Sequence, residues 1–200
     1  GLNLDLKKIS FSYSPEILIA GCGTGQHAIT TASKYNKSKI LALDLSFKSL
    51  SYAKRKANEL KINNIDFIQG DILDLKSIDR KFDIIESVGV LHHMDNPFEG
   101  LKMLTSCLNN NSLMLIGLYS EKARQHIKEI KNKINKLKLQ SNYKNIIKFR
   151  KDLIENNNDQ WNNIKSSPDF YTVSGVRDLL FHVQEHRFTI SIIKENLQRL

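Results

Sequence analysis

Over its first 120 residues the chain alternates between short aliphatic runs and longer amphipathic stretches, and this rhythm restricts the possible folds more than any other feature. The runs are EILIA (Glu16 to Ala20), KILALDL (Lys39 to Leu45), IDFIQGDIL (Ile65 to Leu73), FDIIESVGV (Phe82 to Val90) and SLMLIGLY (Ser112 to Tyr119). Strands buried on both faces read as near-continuous apolar runs of this kind, and helical crossovers join parallel strands. Helical periodicity lies between the runs, at Gln26 to Tyr35, Phe47 to Leu60 and Pro97 to Leu108. Ser46 is a natural N-cap for the second of these, and Pro97 suits the first helical position of the third. Leu75 to Arg80 is too short for more than a turn of helix. The expectation is an α/β fold, an open doubly wound sheet in a three-layer α/β/α arrangement with right-handed crossovers. Ligands bind such sheets beyond the carboxyl ends of the strands, near the point where strand order reverses.

Chemistry-bearing residues collect at those strand ends. After the first run, Gly21-Cys22-Gly23-Thr24-Gly25-Gln26 spells G-x-G-x-G. Residues without Cβ atoms can take positive φ and let a ligand lie against the main chain. A dinucleotide fingerprint, G-x-G-x-x-G, would want its third glycine where Gln26 stands, and no Gly-Lys-Ser/Thr follows to make a phosphate loop. Asp44 closes the second run 19 residues beyond Gly25, with Leu45 after it. A carboxylate there accepts hydrogen bonds from the two ribose hydroxyls of an adenosine ligand and repels a 2′-phosphate, although "DLS" also reads as a helix cap. Asp71 and Ile72 end the third run, an acid for the exocyclic amine of adenine and an aliphatic cover for its ring. Turn, ribose acid and adenine acid point together to an adenosine-bearing ligand.

Taken in order, ILIAGCGTG, ALDLS, QGDIL and FDIIESVGVLHHM resemble the successive motifs of class I S-adenosylmethionine-dependent methyltransferases, over roughly Glu16 to Ser120. The tail DLLFHVQEHRFT is similar to an uncharacterised bacterial branch that is sometimes fused to tetratricopeptide repeats. The resemblance implies a Rossmann-like sheet of seven strands, S-adenosylmethionine as cofactor, and methyl transfer to a nucleophile by in-line displacement. It assigns cofactor binding to Gly21, Cys22, Gly23, Thr24, Gly25, Gln26, Asp44, Leu45, Asp71, Ile72 and Glu86, and sets His92 and His93 facing the transferred methyl as candidate general bases. Tyr119 is a weaker candidate base. Two departures stand out. The family usually carries an acid two positions before the first glycine, and here that place is Ile19; Gln26, backbone carbonyls of the turn, or the chain around Glu86 and Ser87 must then hold the methionine amino group. The family's closing antiparallel pair is not found before Leu200, so the last strands are expected to be missing. An NAD-dependent oxidoreductase and a non-catalytic scaffold with this fold are the rival readings.

The formal charge of +9 is concentrated in one segment. Glu121 to Lys151 holds eleven of the 30 basic residues and two of the 21 acids, which leaves nineteen of each elsewhere. Within it Ala123, Ile127, Ile130, Ile134 and Leu137 form an apolar stripe on a long helix whose other faces carry lysines. Such a segment can face an anionic membrane, RNA or an acidic substrate; the favoured reading is a lid over the acceptor pocket with its stripe packed inward. The expected division is a cofactor-binding core over 1–120, a basic helical insertion over 121–168 and a C-terminal helical segment over 169–200. His182 to His186, HVQEH, matches the H-x-x-E-H pattern of inverted zinc peptidases, with both imidazoles on one helix face, but no further ligand segment follows and no metal is expected. No run reaches the roughly 18 apolar residues of a membrane span, no secretory apolar core is present, and Cys22 and Cys107 form no CxxC pair. These features suggest a cytoplasmic enzyme with a small-molecule acceptor, nucleic acid being possible but not favoured.

Overall fold

The computed structural model describes residues 13–155, 162–182 and 184–200. Five strands lie in the order β3-β2-β1-β4-β5, every neighbouring pair parallel. They are β1 (Glu16–Ala20), β2 (Lys39–Asp44), β3 (Ile65–Gln69), β4 (Phe82–Val88) and β5 (Leu108–Gly117). Helices α1 (Gln26–Lys34), α2 (Phe47–Glu59) and α3 (Pro97–Ser106) make the crossovers, with a 3₁₀ helix at Ile72–Ile78 and another at Leu91–His93. Strand order reverses between β1 and β4, so the crevice expected to take a ligand lies past the tips of these two strands.

Apolar residues build a core on each face of this sheet. One holds Leu18, Ala20, Leu41, Leu43 and Ile85 against Leu101 and Leu104 of α3. The other holds Ile17, Ile19, Ile40 and Ala42 against Ala28 and Ala32 of α1 and Leu50 of α2. Helix starts follow their caps: the Ser46 hydroxyl accepts from the Ser49 amide and the Asn96 side chain from the Phe98 amide.

The elements differ from the sequence reading at their ends. β3 stops at Gln69 rather than Leu73, because Gly70 turns the chain and Asp71 caps a 3₁₀ helix longer than the single turn expected. α3 ends at Ser106 and β5 begins at Leu108, earlier than Ser112, accommodated by a register shift between Phe82 and Ile84. β5 is also half exposed, Leu113 and Leu115 lying open on the face shared with Glu86, since it is an edge strand among the described residues. Against the seven strands that the resemblance implies, the described residues form five.

The described residues divide into two compact units, one running up to Leu118 and taking in Lys194–Leu200, the other within Tyr119–Ile193. The second unit is helical: α4 (Gln125–Lys136), α5 (Tyr143–Glu155), α6 (Asn162–Lys165), a 3₁₀ turn at Pro168–Tyr171, α7 (Val173–Val176) and a π-helical turn at Arg177–Phe181. A last helix, α8 (Ile190–Gln198), ends the chain. Ile127, Ile130 and Ile134 of the apolar stripe are buried in this unit's own core with Ile146, Phe149, Leu153, Phe170 and Leu180, so 121–168 and 169–181 share one interior. Leu137, at the end of the stripe, is exposed.

Candidate functional site

The three turn glycines all have positive φ, 80° at Gly21, 54° at Gly23 and 86° at Gly25. Their surroundings separate their roles. A Cβ on Gly25 would come within 2.5 Å of the Ala53 Cβ, so this glycine lets α2 pack close. A Cβ on Gly23 would meet nothing within 4 Å, so that residue offers open main chain to a ligand. Gly25 N-caps α1 without a side-chain hydrogen bond, and no acid stands in the helix's first turn. The early amides of α1 thus remain open to an anionic group. Thr24 and Gln26 are exposed on the turn. Cys22 is buried; burial, reinforced by the negative Asp44, pushes its thiol up to about 12, so it is a packed side chain and no nucleophile.

Asp44 clamps the turn. One carboxylate oxygen accepts from the Gly23 amide at 2.7 Å and the other from the Ser46 amide at 2.9 Å. The capping reading of "DLS" therefore falls to Ser46, while Asp44 ties the tip of β2 to the glycine turn and keeps lone pairs on both oxygens. Leu45 beside it is 66% exposed, an apolar surface at the same tip. Asp44 is register partner to Gln69, and the Gly70 amide donates to the Asp44 carbonyl at 3.1 Å, which brings Asp71 to the adjacent tip. One Asp71 oxygen accepts from the Leu73 amide at 2.9 Å. Ile72, the aliphatic cover expected for the adenine ring, is turned into the core, whereas Leu45 is open.

Glu86 lies beside Ile19 in the sheet, so its side chain projects from the same face one strand over. One oxygen is held by His27 Nε2 at 2.8 Å and by the Thr31 hydroxyl at 3.0 Å, both from α1 just behind the turn. No local pattern around Glu86 points to these two partners, because the contact depends on β1–β4 register. An acid thus stands next to the place that Ile19 leaves apolar.

His92 and His93 form the 3₁₀ turn after β4, their ring centroids 4.3 Å apart. His92 is fully buried, whereas His93 is half-buried. Burial removes His92 from the residues able to meet an acceptor, and leaves His93 as the accessible one. Tyr119 belongs to the helical unit; burial first, and nearby acids, hold its hydroxyl above the usual range against the lowering effect of Arg124, so it is a poor base.

The described residues of the H-x-x-E-H segment are not helical. His182, Gln184, Glu185 and His186 have no regular secondary structure after the π turn; Val183 is outside the described residues. Glu185 points inward to Arg124 at 2.9 Å and Lys131 at 3.0 Å, and this pull replaces the helix expected there. Among the described residues no three His, Cys, Asp or Glu are grouped to hold a metal ion, and no helix is long and apolar enough to cross a membrane.

A family model described as a methyltransferase domain matches residues 16–167. The chain belongs to that methyltransferase family. Fold and family are those of the class I S-adenosylmethionine-dependent enzymes, and this favours that reading over a nicotinamide oxidoreductase. The chain is 34% identical over 121 residues to an uncharacterized protein of Synechococcus sp., a match over 60% of this chain and 29% of that one. It is 29% identical over 113 residues to the probable (S)-tetrahydroprotoberberine N-methyltransferase 2 of Papaver bracteatum, covering 56% of this chain and 31% of that one. PKMT2 from Rickettsia typhi has the same fold over 96% of this chain and 39% of its own, with a TM-score of 0.75 at 22% identity; a second structure of that protein is in complex with AdoHcy. The chain thus matches about a third of the length of these relatives.

Proposed function

We propose that this protein binds S-adenosylmethionine past the tips of β1, β2 and β3 and transfers its methyl group to a small nucleophilic acceptor. The observation that carries the reading is the Asp44–Gly23 clamp, which sets a carboxylate against open main chain at the strand-order reversal. When bound, the cofactor supplies a methyl group already activated by its sulfonium. The chain's part is then to align donor and acceptor and exclude water. Asp44 accepts the ribose hydroxyls with its remaining lone pairs, Asp71 meets the adenine amine, and Leu45 covers apolar surface. Gly23 and the start of α1 lie against the methionine end. Glu86 takes the methionine ammonium in place of the acid missing at position 19, its carboxylate already aimed by His27 and Thr31. His93 is the base of the pair when the acceptor must lose a proton.

Titration calorimetry with S-adenosylhomocysteine tests the site. Asp44→Ala removes charge-assisted hydrogen bonds contributing about 1.5–3 kcal/mol each, so affinity should fall at least about tenfold. Unchanged affinity refutes the assignment. An N-methyl or O-methyl product formed on added small amines or acids would support the acceptor class, and methylation confined to macromolecules would exclude it.

A further inference from the structure

We propose that the turn joining α4 and α5 is a docking surface for an anionic lipid bilayer. From Ile130 to Lys151 the chain runs for 22 residues without an Asp or Glu and carries eight Lys or Arg. Ile127, Ile130 and Ile134 of α4 and Ile146, Phe149 and Leu153 of α5 are taken up by the unit's own core, so the charge is displayed on the outer faces. Lys131 is held by Glu185, Lys151 by Glu155 and Arg150 by the Tyr171 carbonyl, and Lys133 also has a partner. Lys136, Lys138, Lys144 and Lys148 are exposed, and their ammonium groups make no ion pair or hydrogen bond among the described residues. Between the first three lie Leu137, 55% exposed, and Tyr143, 64% exposed.

This apolar pair is held in place. The Leu139 amide closes the end of α4 on the Ile134 carbonyl at 3.2 Å, and Lys138 takes the left-handed conformation that reverses the chain. Asn142 and Asn145 tie the turn to the start of α5 through the Asn145 amide and the Gln140 carbonyl. An ordered turn that presents a leucine and a tyrosine ringed by flexible lysines matches an interface with an apolar layer beneath a negative headgroup plane. RNA fits less well. Phe149 is buried, which leaves Tyr143 as the stacking surface, and the one arginine of the run is spent on a backbone carbonyl.

Co-sedimentation of the whole protein with phosphatidylcholine vesicles, with and without phosphatidylserine, is the test. The protein should bind the anionic vesicles and leave neutral ones free. Raising salt from about 0.1 M to 1 M, which shortens the Debye length from about 10 Å to 3 Å, should release it. Changing Lys136, Lys138 and Lys144 together to Gln should weaken partitioning by roughly a hundredfold. The pair Leu137→Ser and Tyr143→Ser, which leaves charge unaltered, should weaken it again. All five positions are exposed, and an unchanged melting temperature shows that each variant folds. Absence of binding to anionic vesicles, or binding indifferent to either set of changes, overturns the proposal. So does salt-sensitive retention on an RNA homopolymer by a protein that ignores vesicles.

Discussion

The cationic amino-acid end of the proposed cofactor needs an acceptor beside the glycine turn. Ile19 is buried and apolar where an acid is usual, and Glu86 occupies the adjacent strand on the same face. If Glu86 does the missing acid's work, Glu86→Gln should weaken S-adenosylhomocysteine binding by roughly tenfold or more, since a charge-assisted hydrogen bond becomes a neutral one. Returning the acid to its usual strand, Ile19→Asp in the Glu86→Gln background, should recover part of the loss in the same calorimetric titration. A Glu86→Gln variant of full affinity contradicts the role. The sequence shows that Ile19 is anomalous but not that Glu86 lies beside it, because the neighbour across a parallel pair depends on how the crossovers bring two distant strands into register. Asp44 was legible from its spacing after the glycines; its hydrogen bond to Gly23 was not, since it depends on the turn's own dihedrals.

At the scale of elements, Glu185 ties the tail to the start of the helical unit. Its side chain is 3% exposed between Arg124 and Lys131. Burial alone would raise its carboxyl, but hydrogen bonds and charge from the two cations outweigh burial and leave it below the ordinary range. A lowered folded value means that this stability is present above the unfolded carboxyl's value, near pH 4.3, and is lost as pH falls through the folded one. Glu185→Gln leaves two largely buried cations uncompensated and should cost about 3 kcal/mol at neutral pH. Urea unfolding followed by circular dichroism should show the lower midpoint, with a smaller stability difference from wild type in acid; equal midpoints contradict the account. This ion pair also explains why the H-x-x-E-H motif misleads. Its spacing suits a helix, but tertiary charge pairing outbids local propensity for a short segment. The βα alternation misled far less, since each strand's aliphatic run is buried whatever its neighbours, and errors were confined to ends such as Gly70 and Leu108.

Among the described residues, a five-stranded parallel sheet and a basic helical unit with an interior of its own make up a chain of the methyltransferase family. In the sheet the alternation is enough to read the fold class, and the strand-tip residues point to an adenosine-bearing ligand that the family narrows to S-adenosylmethionine. In the helical unit the apolar stripe foretold a buried face, but not that its partners would come from residues as distant as Phe170 and Leu180. The central claim is that the strand tips grip an adenosyl sulfonium compound and not another adenosine ligand. Thermal unfolding of the unaltered protein with S-adenosylhomocysteine, and separately with NAD, tests it most directly. At a ligand concentration about 100 times the dissociation constant, binding stabilises by about 2.7 kcal/mol, which should raise the melting temperature by roughly 5–10 °C for a chain of this size. The account predicts that rise with S-adenosylhomocysteine and none with NAD. A shift with NAD alone, or none with either at millimolar concentration, would contradict it.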